Sequence, residues 1–313
     1  MKKISMIVPC FNEEGNVSLF YEDVKKTYKN NKKYEIELIF INDGSSDNTL
    51  KELKKLSKNK DFAIKVLSFS RNFGKESVIY AGLKAASGDY TVLIDADMQQ
   101  PPSLTPKMAE ILDNNPDCDC VCYYQESRIE GKVISFAKKM FYKIINKMTD
   151  VEMKQGASDF RMFRTSVREA LISVGEHCRF TKGIFAWVGF DTEYIPYIPE
   201  ERASGESKWS PKKLFKYAMD GIVSFSTKPL KLSIFIGFLV SLAALIYLIV
   251  VIIQKLTVGI SIPGYPTIVV LVLFIGGIQL LCIGIVGEYI SKIYLESKQR
   301  PVYVIKEEIT NEK

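Results

Sequence analysis

Histidine is almost missing from this chain: His177 is the only one in 313 residues. One histidine cannot build a multi-histidine metal centre, and it strongly disfavours a catalytic histidine relay. The six cysteines offer no substitute. Cys118, Cys120 and Cys122 alternate, which predicts one face of a strand, but their spacing is not that of a zinc site. They are expected to be small buried residues in a reducing compartment. Neither G-x-G-x-x-G nor G-x-x-x-x-G-K-[ST] occurs in the first two thirds, which disfavours a dinucleotide site and a P-loop. The opening "MKKISMIVPCFNEE" has too short an apolar run before Asn12, Glu13 and Glu14 for a signal peptide, so this part is expected to remain cytoplasmic.

What the chain does have is two long apolar blocks near its end. One runs uncharged from Leu232 to Ile253, and the other is uncharged from Thr267 to Val286. About 20 apolar residues suffice for a helix to cross a bilayer core of about 30 Å. Two membrane helices are therefore expected, near 232–253 and 267–289, within a hairpin over 229–290. Lys212, Lys213, Lys216, Lys228 and Lys231 precede the first block, and Lys292, Lys298 and Arg300 follow the second. The loop between carries only Lys255. By the positive-inside rule both ends are expected on the cytoplasmic side of a multi-pass cell-membrane protein.

Before the hairpin, apolar runs alternate with helix-spaced stretches. Strands are expected at Ile4–Val8 (stopped by Pro9), over "YEIELIFIN", over "AIKVLSFS" and over "YTVLIDAD". Helices are expected between them. The first has Val17, Phe20, Tyr21 and Val24 on one face, and the second is opened by Ser46 and Asp47. The third is stopped by Gly88. Such alternation predicts an α/β domain with a mostly parallel, Rossmann-like sheet, and ligands beyond the carboxyl ends of its strands. Polar residues collect at those ends: Asn12 and Glu13, Asp43, Arg71 and Asn72, then Asp95 and Asp97.

Asp95 and Asp97 form a D-x-D where a buried-looking strand meets Pro101 and Pro102. Two carboxylates there can hold Mg²⁺ with phosphate oxygens and water completing the octahedron; a polar strand end facing solvent reads the same way. A cation would neutralise a departing nucleoside diphosphate. Asp43, in "NDGSSD", is placed to hold a base or ribose, and the same letters also read as a turn with Asp47 as the cap.

These residues resemble family 2 glycosyltransferases of the GT-A fold, and within them the polyprenyl-phosphate glycosyltransferases. The resemblance rests on "VPCFNEEGN", "FINDGSSDNT", "SRNFGKESVIYAGL", "DADMQQPP", "GASDFRMF", "RFTKGIFAWVGF", "ERASGESKWSPKKLFKYAMDGIVSFS" and "VGEYISKIYLESKQRPVYVI". These follow one another over nearly the whole chain. The resemblance implies inverting transfer of one hexose from a nucleotide-diphosphate sugar to a polyprenyl phosphate, with a divalent metal, Mg²⁺ or Mn²⁺. It implies that Pro9, Phe11, Asn12, Glu13, Asp43, Lys75, Asp95, Ala96 and Asp97 bind the donor. Asp95, Asp97 and Gln99 match the metal ligands, and Asp95, Asp97 and Asp159 the catalytic set. Arg128, Lys132, Lys138, Arg202 and Lys208 match the cations about the acceptor phosphate. It also implies a homo-oligomer, a tetramer, and no nucleic-acid partner.

Two departures stand out. Gln100 follows the metal glutamine where Asp or His is usual, and lysines replace arginines after Arg128. Lysine neutralises phosphate without arginine's bidentate fork.

The resulting organisation is a GT-A domain over 1–207, an interfacial helix over 208–228, the hairpin over 229–290 and a cytoplasmic tail over 291–313. Within the first, 133–149 reads as a basic amphipathic helix, either on the membrane surface or packed on the domain with solvated lysines. UDP-glucose is the favoured donor and UDP-N-acetylglucosamine the next. The Lys-, Asn- and Ile-rich composition points to a bacterium and hence to undecaprenyl phosphate. A phosphate monoester has its second pKa at about 6, so the acceptor needs little help from a base, and Asp159 is expected to position substrate, with a general base as the alternative role. The alternatives are a glycosyltransferase with another lipid acceptor and a non-catalytic membrane-anchored sugar-nucleotide binder.

Overall fold

The computed structural model describes residues 1–125, 146–147, 149, 154, 156–197, 221–257 and 264–311. The chain begins as the alternation predicts. Strand β1 (Lys2–Cys10) leads to helix α1 (Val17–Tyr28), β2 (Tyr34–Asn42), α2 (Thr49–Leu56), β3 (Ala63–Phe69), α3 (Lys75–Ala85) and β4 (Tyr90–Leu93). Then come α4 (Thr105–Asn114), β5 (Cys120–Gln125), β6 (Ala157–Arg164), α5 (Thr165–Ser173), α6 (Thr181–Val188) and β7 (Thr192–Tyr197). Two long helices, α7 (Lys228–Thr257) and α8 (Tyr265–Ser297), precede a last strand, β8 (Ile305–Asn311).

The strands form one eight-stranded sheet in the order β7-β5-β6-β4-β1-β2-β3-β8. β1 runs parallel to β2 and β4, β2 to β3, and β5 to β7. β4 with β6, β5 with β6, and β3 with β8 are antiparallel. The central strands are buried on both faces, which is why they read as unbroken apolar runs. Ile4, Met6 and Val8 of β1 and Leu38 and Phe40 of β2 pack in one layer with residues of α1, α2 and α4. Ile7, Ile39 and Ile41 point the other way, towards residues of α3, α5 and α6. There Gly82 lets α3 lie on the sheet, because a Cβ would come 2.3 Å from Ile7 Cγ2. The predicted α1 face is buried as expected.

Three local expectations are corrected. Pro9 does not stop β1, which continues to Cys10 with Pro9 opposite Ile41. Ile94 N–H donates to Ile7 O, whereas Asp43 N–H donates to Cys10 O, so Pro9 faces the β4 side. β4 pairing has already ended at Leu93, and the missing N–H costs no ladder bond. Second, β4 ends at Leu93, so the D-x-D lies in the turn beyond it. Third, Cys118 precedes β5 and joins the opposite core layer from Cys120. All three cysteines of this group are buried and free.

Helices α7 and α8 pack on each other and are long and apolar enough to cross a membrane, over Lys228–Gln254 and Thr267–Ser297. Their large apolar side chains, such as Phe235, Leu245, Leu273 and Ile283, face outward. Past α8 the chain returns to the sheet. β8 lies along β3, Tyr303 stacks on Phe69 at 5.1 Å, and Glu307 pairs with Lys54 at 2.6 Å. The residues read as a tail thus contain an edge strand of the domain. The amphipathic stretch 133–149 lies almost wholly outside the described residues. So does most of the interfacial stretch 208–228, of which 221–225 is helical.

Candidate active site

The carboxyl ends of β1, β2, β3 and β4 open on one rim, and the first residues of β6 join them. β6 is antiparallel to β4 with Leu93 opposite Arg161. Extending that register by two residues sets Asp95 opposite Asp159. Two carboxylates facing each other across adjacent chains repel. Lys75, the first residue of α3, lies between them. Its Nζ is 2.9 Å from both oxygens of Asp95 and 3.0 Å from Asp159 Oδ2. Lys182, from the first turn of α6, stands 3.8 Å from Asp159 Oδ1 and donates to Ala157 O at 3.2 Å.

The charges reinforce one another. Burial opposes ionisation of Asp159, but Lys75 and then Lys182 outweigh it and hold the carboxyl well below the usual carboxylate range. Burial likewise acts against the Lys75 ammonium, and Asp159 and Asp95 override it, pushing Lys75 above the ordinary lysine value. The trio remains open to the rim, since the Lys75, Asp95 and Asp159 side chains keep 38%, 29% and 25% of their exposure.

The turn after β4 separates the two glutamines. Gln100 is buried: its Oε1 accepts Asp95 N–H at 3.1 Å and its Nε2 donates to Ser158 Oγ at 3.3 Å. It ties the Asp95 backbone to the start of β6, giving the unusual residue at this position a structural part. Gln99 is half-buried and its N–H donates to Asp97 Oδ1 at 3.2 Å. Met98 has φ of 63°, which reverses the chain between the two carboxylates and the glutamines. Ala96 is buried between Asp95 and Asp97.

On the other side of the rim, Asp43 does not project freely. It is 4% exposed, and its carboxylate accepts the N–H groups of Phe73 at 2.7 Å and Gly74 at 2.9 Å. Burial pushes its carboxyl up, with those two donors opposing. Asp43 therefore holds the β3–α3 loop, and through it the start of α3 and Lys75. The neighbouring Gly44 has φ of +64°, and a Cβ there would meet the Arg71 carbonyl carbon at 2.4 Å. Asn12, with φ of 53°, accepts Ser46 N–H at 2.9 Å, and Glu13 N–H donates to Thr49 Oγ1 at 2.8 Å. Pro9 and Phe11 are half-buried beside them. Asp47, and not Ser46, takes the first N–H of α2, donated by Thr49 at 3.0 Å.

Of the expected donor and metal residues, all lie on this rim, and Lys75, Asp95 and Asp159 are in direct contact. The acceptor cations Arg128, Lys132, Lys138, Arg202 and Lys208 lie outside the described residues. Sequence reasoning missed Lys182 and Glu76. Glu76 accepts Thr181 N–H at 2.8 Å and also the Thr181 hydroxyl, which fastens α6 to α3. Burial pushes its carboxyl up against those donors. It also missed Arg161, buried two residues along β6 from Asp159, whose guanidinium lies 4.1 Å from the Phe185 ring centre. The alternation in "SDFRMF" is the one signal that pairs Asp159 with Arg161.

Among the described residues no cluster of three or more His, Cys, Asp or Glu forms a metal site. The donors at the turn, two carboxylates and an amide, are nonetheless hard oxygen ligands of the type Mg²⁺ and Mn²⁺ take when phosphates and waters supply the rest.

Comparison with known proteins gives two family matches: Glycosyl transferase family 2 over residues 5–172, and the GtrB C-terminal hairpin over 228–293. CsbB of Bacillus subtilis (strain 168) is 44% identical over 304 residues, 97% of this chain and 91% of that protein. The bactoprenol glucosyl transferase of Shigella phage SfV is 40% identical, covering 98% of this chain and 99% of its own. The prophage bactoprenol glucosyl transferase homolog of Escherichia coli (strain K12) is 38% identical, covering 97% and 98%. The mixed, mostly parallel sheet is GT-A-like, and the two apolar helices with the hairpin match associate the chain with a membrane. The chain is a glycosyltransferase, and it belongs to glycosyl transferase family 2.

Proposed function

We propose that this chain transfers one glucose from UDP-glucose to a polyprenyl phosphate, undecaprenyl phosphate, with inversion, at the cytoplasmic face of the cell membrane. One observation carries the reading: relatives named bactoprenol glucosyl transferase match catalytic domain and hairpin together, at 40% and 38% identity over almost the whole chain.

Asp95, Asp97 and Gln99 would hold a divalent cation. Mg²⁺ or Mn²⁺ there supplies charge neutralisation for the donor diphosphate. The chain's own residues do the rest. Pro9, Phe11, Asn12 and Glu13 flank the nucleotide, with Asp43 holding the loop beneath it. Ala96, whose side chain is buried, would meet the donor through its backbone, and Lys75 adds a fixed positive charge beside Asp95. Asp159 positions substrate: a carboxylate kept ionised by Lys75 is a weak proton acceptor near neutral pH. The acceptor phosphate is largely dianionic already and needs alignment opposite the leaving group. Arg128, Lys132, Lys138, Arg202 and Lys208 are proposed to grip it.

In this reading residues 1–207, completed by β8, form the catalytic domain, and the stretches 133–149 and 208–228 lie at the membrane surface. Both α7 and α8 cross the bilayer. The pairing of β8 with β3 supports this, because the hairpin must leave from the domain and return to it. Both ends then lie on one side, and the lysine distribution supports the cytoplasmic one. Four copies are proposed to associate.

The test incubates full-length protein with radiolabelled UDP-glucose, UDP-N-acetylglucosamine, UDP-galactose or GDP-mannose and undecaprenyl phosphate, with and without EDTA. Metal-dependent, lipid-extractable label from UDP-glucose is expected. No lipid-linked label with any donor rejects the reading.

A further inference from the structure

The end of α8 reaches into the catalytic domain at one defined place. Glu296 lies in the last turn of that helix, beyond its most apolar part. Its Oε1 accepts two consecutive backbone N–H groups, from His177 at 2.7 Å and Cys178 at 3.0 Å. A carboxylate taking paired N–H donors makes short, charge-assisted hydrogen bonds. Those two residues belong to the loop that joins α5 to α6, and the loop runs directly into the rim. Four residues after Cys178 comes Lys182, whose ammonium faces Asp159. Between them Thr181 is fastened to Glu76, the neighbour of Lys75.

The same loop is held from the domain side by Arg179. Its guanidinium donates to Val174 O and, at 3.1 Å, to Leu171 O, at the end of α5. It also lies 4.2 Å from the Tyr80 ring centre on α3. Tyr80 meets Tyr303 edge to face at 6.4 Å, and Tyr303 follows Glu296 on the return to β8. The chain leaving the membrane helix thus touches both sides of one loop, directly through Glu296 and through Tyr303, Tyr80 and Arg179. Two more bonds tie α8 to the segment entering α7: Lys292 donates to Ser224 Oγ at 2.9 Å and Tyr289 to Ser226 O at 2.6 Å.

We propose that Glu296 is a positioning residue of the transfer reaction: from the end of the membrane hairpin it sets the loop 177–178, and thereby places Lys182 against Asp159. The hairpin then acts as part of the catalytic site as well as an anchor. The inference rests on the glycosyltransfer reading given above for its kinetic readout, but its structural readout does not.

The experiment uses the full-length chain in lipid nanodiscs and compares wild type with Glu296→Gln and Glu296→Ala. Hydrogen–deuterium exchange over 174–182 is followed beside exchange in β1 and β2, and kcat and donor KM are measured with undecaprenyl phosphate. In Glu296→Ala, exchange over 174–182 should quicken while β1 and β2 stay protected. Its kcat should fall by between about tenfold and a hundredfold, the scale of a small misplacement near the chemistry, with donor KM within about twofold. Glu296→Gln keeps an acceptor oxygen and should recover most of kcat. Unchanged exchange over 174–182 refutes the contact. Faster exchange with wild-type kcat refutes the positioning role. Loss of protection in β1 and β2 as well refutes a local effect; Glu296→Met, which keeps the side-chain volume but has no acceptor oxygen, is read in parallel by the same two measurements. If wild type transfers no sugar, the function proposed above fails, while the exchange arm still reads whether the loop is held.

Discussion

Replacing Lys75 by Met removes the cation between Asp95 and Asp159 while keeping an unbranched side chain of similar length. Breaking a fully buried ion pair by deleting one partner costs about 3–5 kcal/mol. Here the side chains keep 38%, 29% and 25% of their exposure, and Lys182 remains 3.8 Å from Asp159. Solvent screening and the second cation reduce the loss to about 1–3 kcal/mol. At about 2–4 °C per kcal/mol for a domain of this size, the melting point should fall by between about 2 and 12 °C. The sign of its pH dependence follows from the two shifts. Asp159 is held below its unfolded value, so its stabilisation is present above about pH 4 and is lost as pH falls further. Lys75 is raised, so its stabilisation is present below about pH 10 and is lost as pH rises through its folded value. Between pH 5 and 8 the wild-type trio therefore contributes evenly. Without Lys75, the cation that does most to hold the Asp159 carboxyl low is gone, and only Lys182 and Arg161 still oppose burial there. The destabilisation should therefore be full at pH 7 and smaller at pH 3, where the wild type is itself losing the Asp159 contribution. Thermal melts followed by intrinsic fluorescence, in detergent with EDTA to remove metal, read this directly. A loss of equal size at both pH values would refute the trio as an electrostatic unit.

The two glutamines should separate in the same assays. Gln99→Ala is expected to lower metal-dependent turnover, more than Gln100→Ala does, with an unchanged melting point. Gln100→Ala leaves Asp95 N–H without its acceptor, and the melting point should drop by the equivalent of about 1–3 kcal/mol. A reversed order in turnover would overturn the proposed metal role of Gln99. Gly44→Ala should destabilise by about 1–3 kcal/mol and raise donor KM, because φ of +64° and a Cβ 2.4 Å from Arg71 force the β3–α3 loop to move; a wild-type melt and KM would contradict that. Deleting residues 305–313 removes β8 and bares the edge of β3, so light scattering should report self-association. A monodisperse deletion variant would show that the edge is protected in another way.

How far the letters reached follows from the range of the interactions involved. The alternation of β1 to β4 with α1 to α3 was legible because strands covered on both faces must be apolar throughout, and helices over them show a one-sided stripe. The D-x-D was legible for the same reason: polar residues interrupt a run that burial would otherwise keep apolar. Pro9 misled because proline reads as a strand stop unless the missing donor's side is known, and that depends on where β4 ends. Glu37 gave no signal at all. It is a carboxylate inside β2, 6% exposed, that is satisfied by Ser5 and Ser87. Burial works against its ionisation, yet those donors hold its carboxyl low. β8 was hidden by its own composition, since "IKEEITN" lacks the apolar alternation of a core strand. It pairs because α7 and α8 bring the chain back to β3, and an edge strand with one open side tolerates charge. The Asp95–Lys75–Asp159 contact falls between these cases. Each residue stood in a stretch that could be read, but their meeting depends on the β4–β6 register and on Asp43 holding the loop that starts α3. A motif can thus name the residues of a rim, while the distances that give them their charges belong to the sheet.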